Sequence, residues 1–139
     1  MSEENKAVVR QIEEAWSAGK LDALDQFFAP NFVPHSAAPS GPATLDGAKA
    51  AYQISASAFP DRRTTIEDIV GEGDQVAVRI RMTGTNKGGL PPFGIPANGK
   101  PVDIQWFGIY RLQDGKVVEH RAVIDLMGLM QQLGAVPGG

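Results

Sequence analysis

The chain changes its hydrophobic period about halfway along, and this change constrains the fold more than any other feature. In the first part, apolar side chains recur at helical spacing, as at Val8, Ile12 and Trp16. In the segment 76–83 they alternate with polar ones, which is the period of a half-buried antiparallel strand. Helices followed by antiparallel strands predict an α+β fold with the helices on one face of a sheet. The concave space between the layers is the usual place for a small-molecule site.

The same patterns set bounds for each element. Three N-terminal helices are expected: the first stops at Gly19, the second runs from Leu21 until Pro30 ends it, and the third is capped by Asp46. Strands are predicted at 64–70, 76–83, 101–112 and 116–124, with turns at 71–74 and 114–115, loops at 36–42 and 85–100, and a closing helix from 126 that Gly134 stops.

Length and composition exclude several classes of protein. A chain of 139 residues fits a single domain, 1–139. Sixteen acidic residues against thirteen Lys and Arg argue against nucleic acid as a partner, because phosphate binding needs a basic face. The absence of Cys excludes disulfides and thiolate chemistry, and two His make a metal site unexpected. The polar N-terminus and the lack of a long apolar run predict a cytoplasmic protein without a membrane partner.

Asp125 is the first candidate for acid–base chemistry. It follows the apolar run Ala122-Val123-Ile124 and precedes two more apolar residues. A carboxylate in such surroundings is costly unless it is bonded or neutral, and burial would make it more basic, as a general base requires. The alternative is that Asp125 caps the closing helix, and the spacing alone favours the cap.

The two His and one Arg are the other polar candidates. His35 opens a loop and its ordinary pKa suits proton transfer, although a loop His bonded to backbone or water is the simpler interpretation. His120 lies five positions before Asp125, so on a regular strand the two point to opposite faces, and we predict His120 to be exposed or at a subunit interface. Arg121 shares the face of Asp125.

Aromatic residues suggest both a pocket and a covered sheet. Trp16, Tyr52 and Phe59 are core candidates that would also line an aromatic pocket. Trp106 lies mid-strand, and both faces of its strand carry apolar groups, so the sequence leaves its inward face open. Apolar groups on both faces predict a sheet covered on both sides, by helices and by a second subunit.

The chain resembles the SnoaL-like polyketide cyclase (ester cyclase) family of the NTF2-like superfamily. The matching motifs, in order, are Trp16 with 19–24, Asn31-Phe32-Val33-Pro34-His35, Ala58-Phe59-Pro60-Asp61, 72–79, Gly84-Thr85, 94–100, Tyr110-Arg111, 114–120 ending in Glu119-His120, Asp125, and 129–134. The resemblance rests on the order and spacing of these motifs taken together.

The resemblance implies an NTF2-like cone, in which a curved antiparallel sheet surrounds a pocket roofed by helices, and a homodimer or higher oligomer. It implies an enzyme without cofactor or metal that closes a ring in an aromatic polyketide ester by intramolecular aldol condensation. Asp125 matches the family's general acid/base and His35 matches a His of the pocket. The substrate would be a small hydrophobic or aromatic carbonyl compound.

On this interpretation Asp125 takes the proton, His35 or the Tyr52 hydroxyl assists the substrate oxygen, and Trp106 and Phe59 hold a flat ring system. The chain departs from the family where many members have His after Gly-Thr and Trp after Glu-His, because it has Asn86 and Arg121. A cation beside Asp125 would weaken a base, or would bind an acidic substrate.

Two other functions remain open. One is an isomerase or epoxide hydrolase on the same fold, although the Arg-x-Asp pattern of those epoxide hydrolases does not occur in this sequence. The other is a non-catalytic protein that binds a small molecule and in which Asp125 is only a cap.

Overall fold

The structure is a computed structural model that describes residues 2–34 and 45–135. Three α-helices and five strands make up most of it. The elements are α1 (Ser2–Ala18), a 3-10 helix (Leu21–Phe27), β1 (Phe28–Pro34), α2 (Leu45–Ala58), β2 (Arg63–Glu72), β3 (Gln75–Thr85), a short 3-10 turn (Pro91–Phe93), β4 (Pro101–Gln113), β5 (Lys116–Ile124) and α3 (Leu126–Gln132).

The strands form one sheet in the order β1-β5-β4-β3-β2. Strands β2 to β5 are antiparallel, as predicted, whereas β1 pairs parallel with β5. Register shifts interrupt the pairing of β2 with β3 and of β4 with β5. Such bulges bend strands and increase their twist, which curves the sheet. The α+β architecture with a curved sheet and N-terminal helices is therefore confirmed.

The N-terminal helix packs across the sheet. It contacts β2 and β3, and Gly19 ends it in a left-handed conformation (φ 72°), which glycine adopts without strain. The larger core cluster forms between this helix and the sheet; its members are Val9, Ile12, Ala15, Leu24, Phe28, Val76, Val78, Ile80, Tyr110, Leu112 and Val117.

A second cluster packs the closing helix against the other end of the sheet. It joins the end of α2, the loop after β3, the start of β4 and α3; its members are Ala58, Phe59, Met82, Leu90, Ile95, Val102, Ile104, Leu129 and Leu133. Gly134 follows α3 with φ 72°, as the predicted stop requires.

Two of the helix predictions need correction. The second helix is a 3-10 helix that ends at Phe27, and Pro30 lies inside the strand β1 instead of ending a helix. Pro is tolerated there because β1 is an edge strand, which leaves one side of its backbone without a ladder. Asp46 lies in the first turn of α2, which begins at Leu45, so it is not the cap.

The strand predictions are confirmed with small changes in length. β5 has the predicted bounds, and β4 is one residue longer than predicted. Asp114 and Gly115 both have positive φ (52° and 77°), as a two-residue hairpin turn requires. β2 continues through Gly71 and Glu72, so the turn between β2 and β3 is shorter than expected. The predicted loop at 36–42 lies outside the described residues, as does His35.

Among the residues that the structure describes, no helix is long and apolar enough to cross a membrane.

Candidate active site

The structure resolves which face of β4 points inward. Tyr110 is 2% exposed, whereas its neighbour Ile109 is 45% exposed and Phe107 is 55% exposed. Trp106, Gly108 and Tyr110 therefore face the helices. Trp106 is half-buried and packs against both core clusters, so it lies where the two halves of the interior meet.

A carboxylate that the sequence analysis did not single out lies inside this interior. Glu13 is on the apolar face of α1 and is only 8% exposed. The hydroxyl of Tyr110 donates a hydrogen bond to Glu13 Oε1 at 2.6 Å. Burial raises the pKa of Glu13, and it does so against the opposing effects of the Tyr110 hydrogen bond and the charge of Arg62. Burial also raises the pKa of Tyr110 well above its ordinary value, which keeps the phenol a donor.

His120 continues this polar arrangement on β5, where it is half-buried and not exposed, which corrects the first of its two predicted environments. Its ring stacks on that of Tyr110 with a centroid distance of 4.1 Å and an interplanar angle of 20°. Gly108 provides the space, since a Cβ there would come within 3.1 Å of His120 Nε2. Burial lowers the pKa of His120 to about 4, so the imidazole is neutral near pH 7.

Arg62, the residue just before β2, also belongs to this arrangement. Its guanidinium lies over the ring of Tyr52, 4.7 Å from the centroid, and Tyr52 in turn packs on Trp16 at 5.4 Å. Arg62 Nε is buried and has no hydrogen-bond acceptor within residues 2–34 and 45–135. Burial lowers the pKa of Arg62, whereas the neighbouring Tyr52 and Glu13 raise it.

A cleft of about 270 Å³ opens beside this cluster, between α1 and β2. Ile66 and Ile80 provide apolar surface, and Ser17 and Thr64 are among its polar residues. Glu13 belongs both to this cleft and to the buried polar cluster. The arrangement thus brings a shielded carboxylate into contact with a space that a small molecule would enter.

Asp125 lies elsewhere, at the junction of β5 and α3. Its Oδ1 accepts a hydrogen bond from the Gly128 N–H at 2.9 Å, so the capping interpretation is confirmed. Its side chain is exposed, and the expectation of a shielded carboxylate there needs correction. The physical reason is that a cap must lie at the helix end, which here is the rim of the sheet.

The remaining predicted residues divide between interior and exterior. Trp16 and Tyr52 are half-buried and Phe59 is 2% exposed in the second core cluster, so all three face the interior. Arg121 projects from the outer face, where its side chain is 63% exposed and lies 3.7 Å from Glu119. The structure therefore does not bring Arg121 together with the interior aromatic residues.

The fold and this interior define a small α+β protein with an enclosed acid–base cluster. The family described as SnoaL-like polyketide cyclase matches residues 6–133, and the chain belongs to that family. The NTF2-like fold predicted from the resemblance is confirmed by its structural neighbours.

The chain is also similar to named relatives and to solved structures over most of its length. The chain is 28% identical over 134 residues to the aklanonic acid methyl ester cyclases DauD of Streptomyces sp. (strain C5) and DnrD of Streptomyces peucetius, a match that spans 91% of this chain and 80% and 88% of theirs. AclR, a putative hydroxylase from Streptomyces galilaeus, is 29% identical with a TM-score of 0.86, over 99% of this chain and 100% of its own. IdmH, a putative polyketide cyclase from Streptomyces antibioticus, is 30% identical with a TM-score of 0.81, and the match covers 94% of this chain and 98% of IdmH. The protein is accordingly an enzyme of the cyclase type.

Proposed function

We propose that the protein closes a ring in an aromatic polyketide ester by an intramolecular aldol-type ring closure. The observation that carries this proposal is the match of the cyclase family over residues 6–133. The two relatives named as aklanonic acid methyl ester cyclases support a methyl ester as the substrate class. The reaction requires proton transfers and no change of oxidation state, so acid–base groups of the chain are sufficient for it.

The interior chemistry suits such a reaction. A proton on carbon next to a carbonyl is removed by a base shielded from water, and the resulting enolate needs donors at its oxygen. Glu13 is such a shielded carboxylate, and Arg62 offers a buried donor. The rings of Trp16, Tyr52 and Trp106 provide half-buried aromatic surface for a flat substrate.

The catalytic roles that the resemblance gives Asp125 and His35 stay predictions. Asp125 is exposed and already bonded to the end of α3, which favours the interior cluster as the place of the chemistry. His35 lies outside the described residues.

The experiment is to incubate the purified protein with aklanonic acid methyl ester and follow the products by liquid chromatography and mass spectrometry. We expect a product with a new retention time and the same mass, because an intramolecular aldol addition rearranges bonds without loss of atoms. Unchanged starting material would contradict the proposal. A gain of one oxygen atom would instead match hydroxylation, the activity in the description of the neighbour AclR.

The same assay tests Asp125. Asn caps helices about as well as Asp, so Asp125→Asn should retain the fold. We expect it to retain turnover as well, because the side chain lies at the exposed rim. A loss of turnover in a folded variant would assign the acid/base role to Asp125, as the resemblance implies.

A further inference from the structure

We propose that Ile124, the last residue of β5, contacts the substrate: together with Trp106 it binds the flat ring system at an open end of the interior. This inference rests on the proposed function, since it takes the substrate to be an aromatic polyketide ester. It adds to the site a residue that neither the resemblance nor the sequence pattern indicated.

The pairing of β4 with β5 shows that Ile124 points inward. Trp106 faces the helices, and Ile124 is its direct partner in the antiparallel ladder. Residues directly opposite each other in such a ladder have their side chains on the same face of the sheet. Val123, one position earlier, pairs with Phe107 and points with it to the outer face. Ile124 and Trp106 therefore lie side by side on the concave face.

The exposure of these two side chains shows that the concave face is open at this end. Tyr110, further in along β4, is 2% exposed, whereas Trp106 is half-buried and Ile124 is 45% exposed. Ile124 points toward the helix layer, and its exposure means that the helices do not cover it. Concave apolar surface that the fold leaves uncovered is where small molecules usually bind.

The neighbouring helices border this open end without closing it. Ile54 of α2 and Met130 of α3 are half-buried and pack, as Trp106 does, against the second core cluster. Among the described side chains of α2, none is fully buried before Ala58, so most of this helix is not packed tightly on the sheet. We call the group Ile54, Trp106, Ile124 and Met130 the apolar mouth.

The composition of the apolar mouth determines which part of the substrate it binds. None of its members is charged, and an indole ring with aliphatic and thioether side chains provides flat and adaptable apolar surface. Such a surface favours an uncharged polycyclic aromatic group, and it has no cation to pair with a carboxylate. The side chain of Asp125, the next residue, is bonded to the Gly128 N–H at the start of α3 and does not fill the mouth.

The direct test is methyl NMR of the full chain with ¹³C-labelled isoleucine δ1 groups. The probe is methyl anthraquinone-2-carboxylate, a flat tricyclic ester that has no enolisable C–H and cannot close a ring. We expect the Ile124 methyl signal to shift on titration and to show nuclear Overhauser contacts with the aromatic protons of the probe. Ile109 is the matched reference, because it is also 45% exposed but lies on the outer face, and its signal should not shift.

Ile124→Ala measures how much this contact contributes to binding. The side chain is exposed, so the variant should retain the fold. We expect the Kd of the probe to rise about 5-fold or more, because the ligand loses apolar area that it would bury there. The KM for aklanonic acid methyl ester should rise by a similar factor, with a smaller change in kcat. Ile109→Ala is the matched control and should leave Kd and KM unchanged.

Each outcome bears on either the apolar mouth or the proposed function. An unchanged Kd in folded Ile124→Ala, or probe contacts to Ile109 instead of Ile124, would overturn the inference. A shift of the Ile124 signal with protein concentration alone would also overturn it, since a second copy of the chain would then cover the mouth. Binding at Ile124 without ring closure of aklanonic acid methyl ester would retain the inference and overturn the proposed function. Ring closure with an unchanged KM in Ile124→Ala would do the reverse.

Discussion

At the scale of single residues, the polar interior depends on a buried carboxylate, Glu13, which accepts a hydrogen bond from the hydroxyl of Tyr110. Glu13 lies four residues after Val9 and three before Trp16, so helical spacing alone places it on the apolar face. Because charged residues are rarely buried, this spacing was not taken to predict a buried carboxylate. Trp16 and Tyr52 were predicted as core aromatic residues and are half-buried in contact with each other, whereas the inward face of Trp106 required the structure.

His120 was assigned to the wrong environment because its face was inferred from that of Asp125, which was expected to be shielded and lies exposed at the end of β5. A regular ladder from the hairpin turn would pair Tyr110 with Glu119, but a register shift between Arg111 and Leu112 pairs Tyr110 with His120 instead. One extra residue in β5 therefore reverses which side chains face inward. No local pattern marks such a bulge, so the stack of His120 on Tyr110 required the structure.

The half-buried His120 makes the fold sensitive to acid. Its pKa is lowered from 6.5 to about 4 by burial, so the folded state favours the neutral ring. This contribution to stability is present above pH 6.5 and is lost as the pH falls toward about 4. It amounts to roughly 2–3 kcal/mol of unfolding free energy over that range. Urea denaturation at about pH 7 and about pH 4 should show a smaller acid loss in His120→Gln than in the wild type.

The comparison with the variant isolates His120 from its neighbours. Tyr110, which stacks on it, does not titrate in this range, because its pKa lies well above its ordinary value. Glu13, beyond Tyr110, has a raised pKa and acts in the opposite direction, gaining stability as the pH falls. Glu13 is common to both proteins, so equal acid losses in the two would contradict the prediction.

At the scale of elements, short sequence patterns predicted the strands and turns that neighbouring residues are enough to determine. The alternation of Val76, Val78 and Ile80 gave β3, and the Asp114-Gly115 turn gave the hairpin of β4 and β5. The edge strand β1 was not predicted. Pro30 is an unfavourable residue within a strand, and the parallel partner β5 is distant in sequence. Pairing between distant segments cannot be predicted from a short stretch of sequence.

The loop 85–100 owes its shape to one buried amide, Asn86, which is fully buried. Its Nδ2 donates to Pro96 O and Asn98 Oδ1, both at 3.0 Å, and its Oδ1 accepts from the Gly89 N–H at 2.9 Å. Asn98 in turn donates to Leu133 O at 3.1 Å, which connects the loop to the end of α3. The residue that departs from the family pattern therefore organises this loop.

Asn86→Ala should destabilise the protein by roughly 1–3 kcal/mol, because it leaves the buried Gly89 N–H without its acceptor. The measurement is the free energy of unfolding from urea titration. Asn31→Ala, at an exposed position of β1, is the control and should change stability by less than about 0.5 kcal/mol. A similar small change at Asn86 would show that the loop does not depend on its amide.

At the scale of the whole molecule, the outer face of the sheet carries exposed apolar side chains among paired charges. Phe107 is 55%, Ile109 45% and Val123 72% exposed, and Phe107 pairs with Val123 across the β4–β5 ladder. The charges beside them are matched within the chain, as in the bidentate contact of Arg81 with Asp103 at 2.6 and 2.8 Å. A neutralised surface with an apolar centre is self-complementary, which is what a twofold dimer interface requires.

We therefore propose that a second copy of the chain covers this face, as the apolar residues on both sides of β4 led us to expect. Two copies related by a twofold axis would bring Val123 near the centre of the interface, where a pair of carboxylates would repel each other and lose solvent. Val123→Asp should convert a dimer of 14.8 kDa chains into a monomer, measured by size-exclusion chromatography with light scattering. Met127→Asp, at a 63% exposed apolar residue of α3, is the matched control and should remain dimeric. A monomeric wild type, or a dimeric Val123→Asp, would show that the outer face has another role.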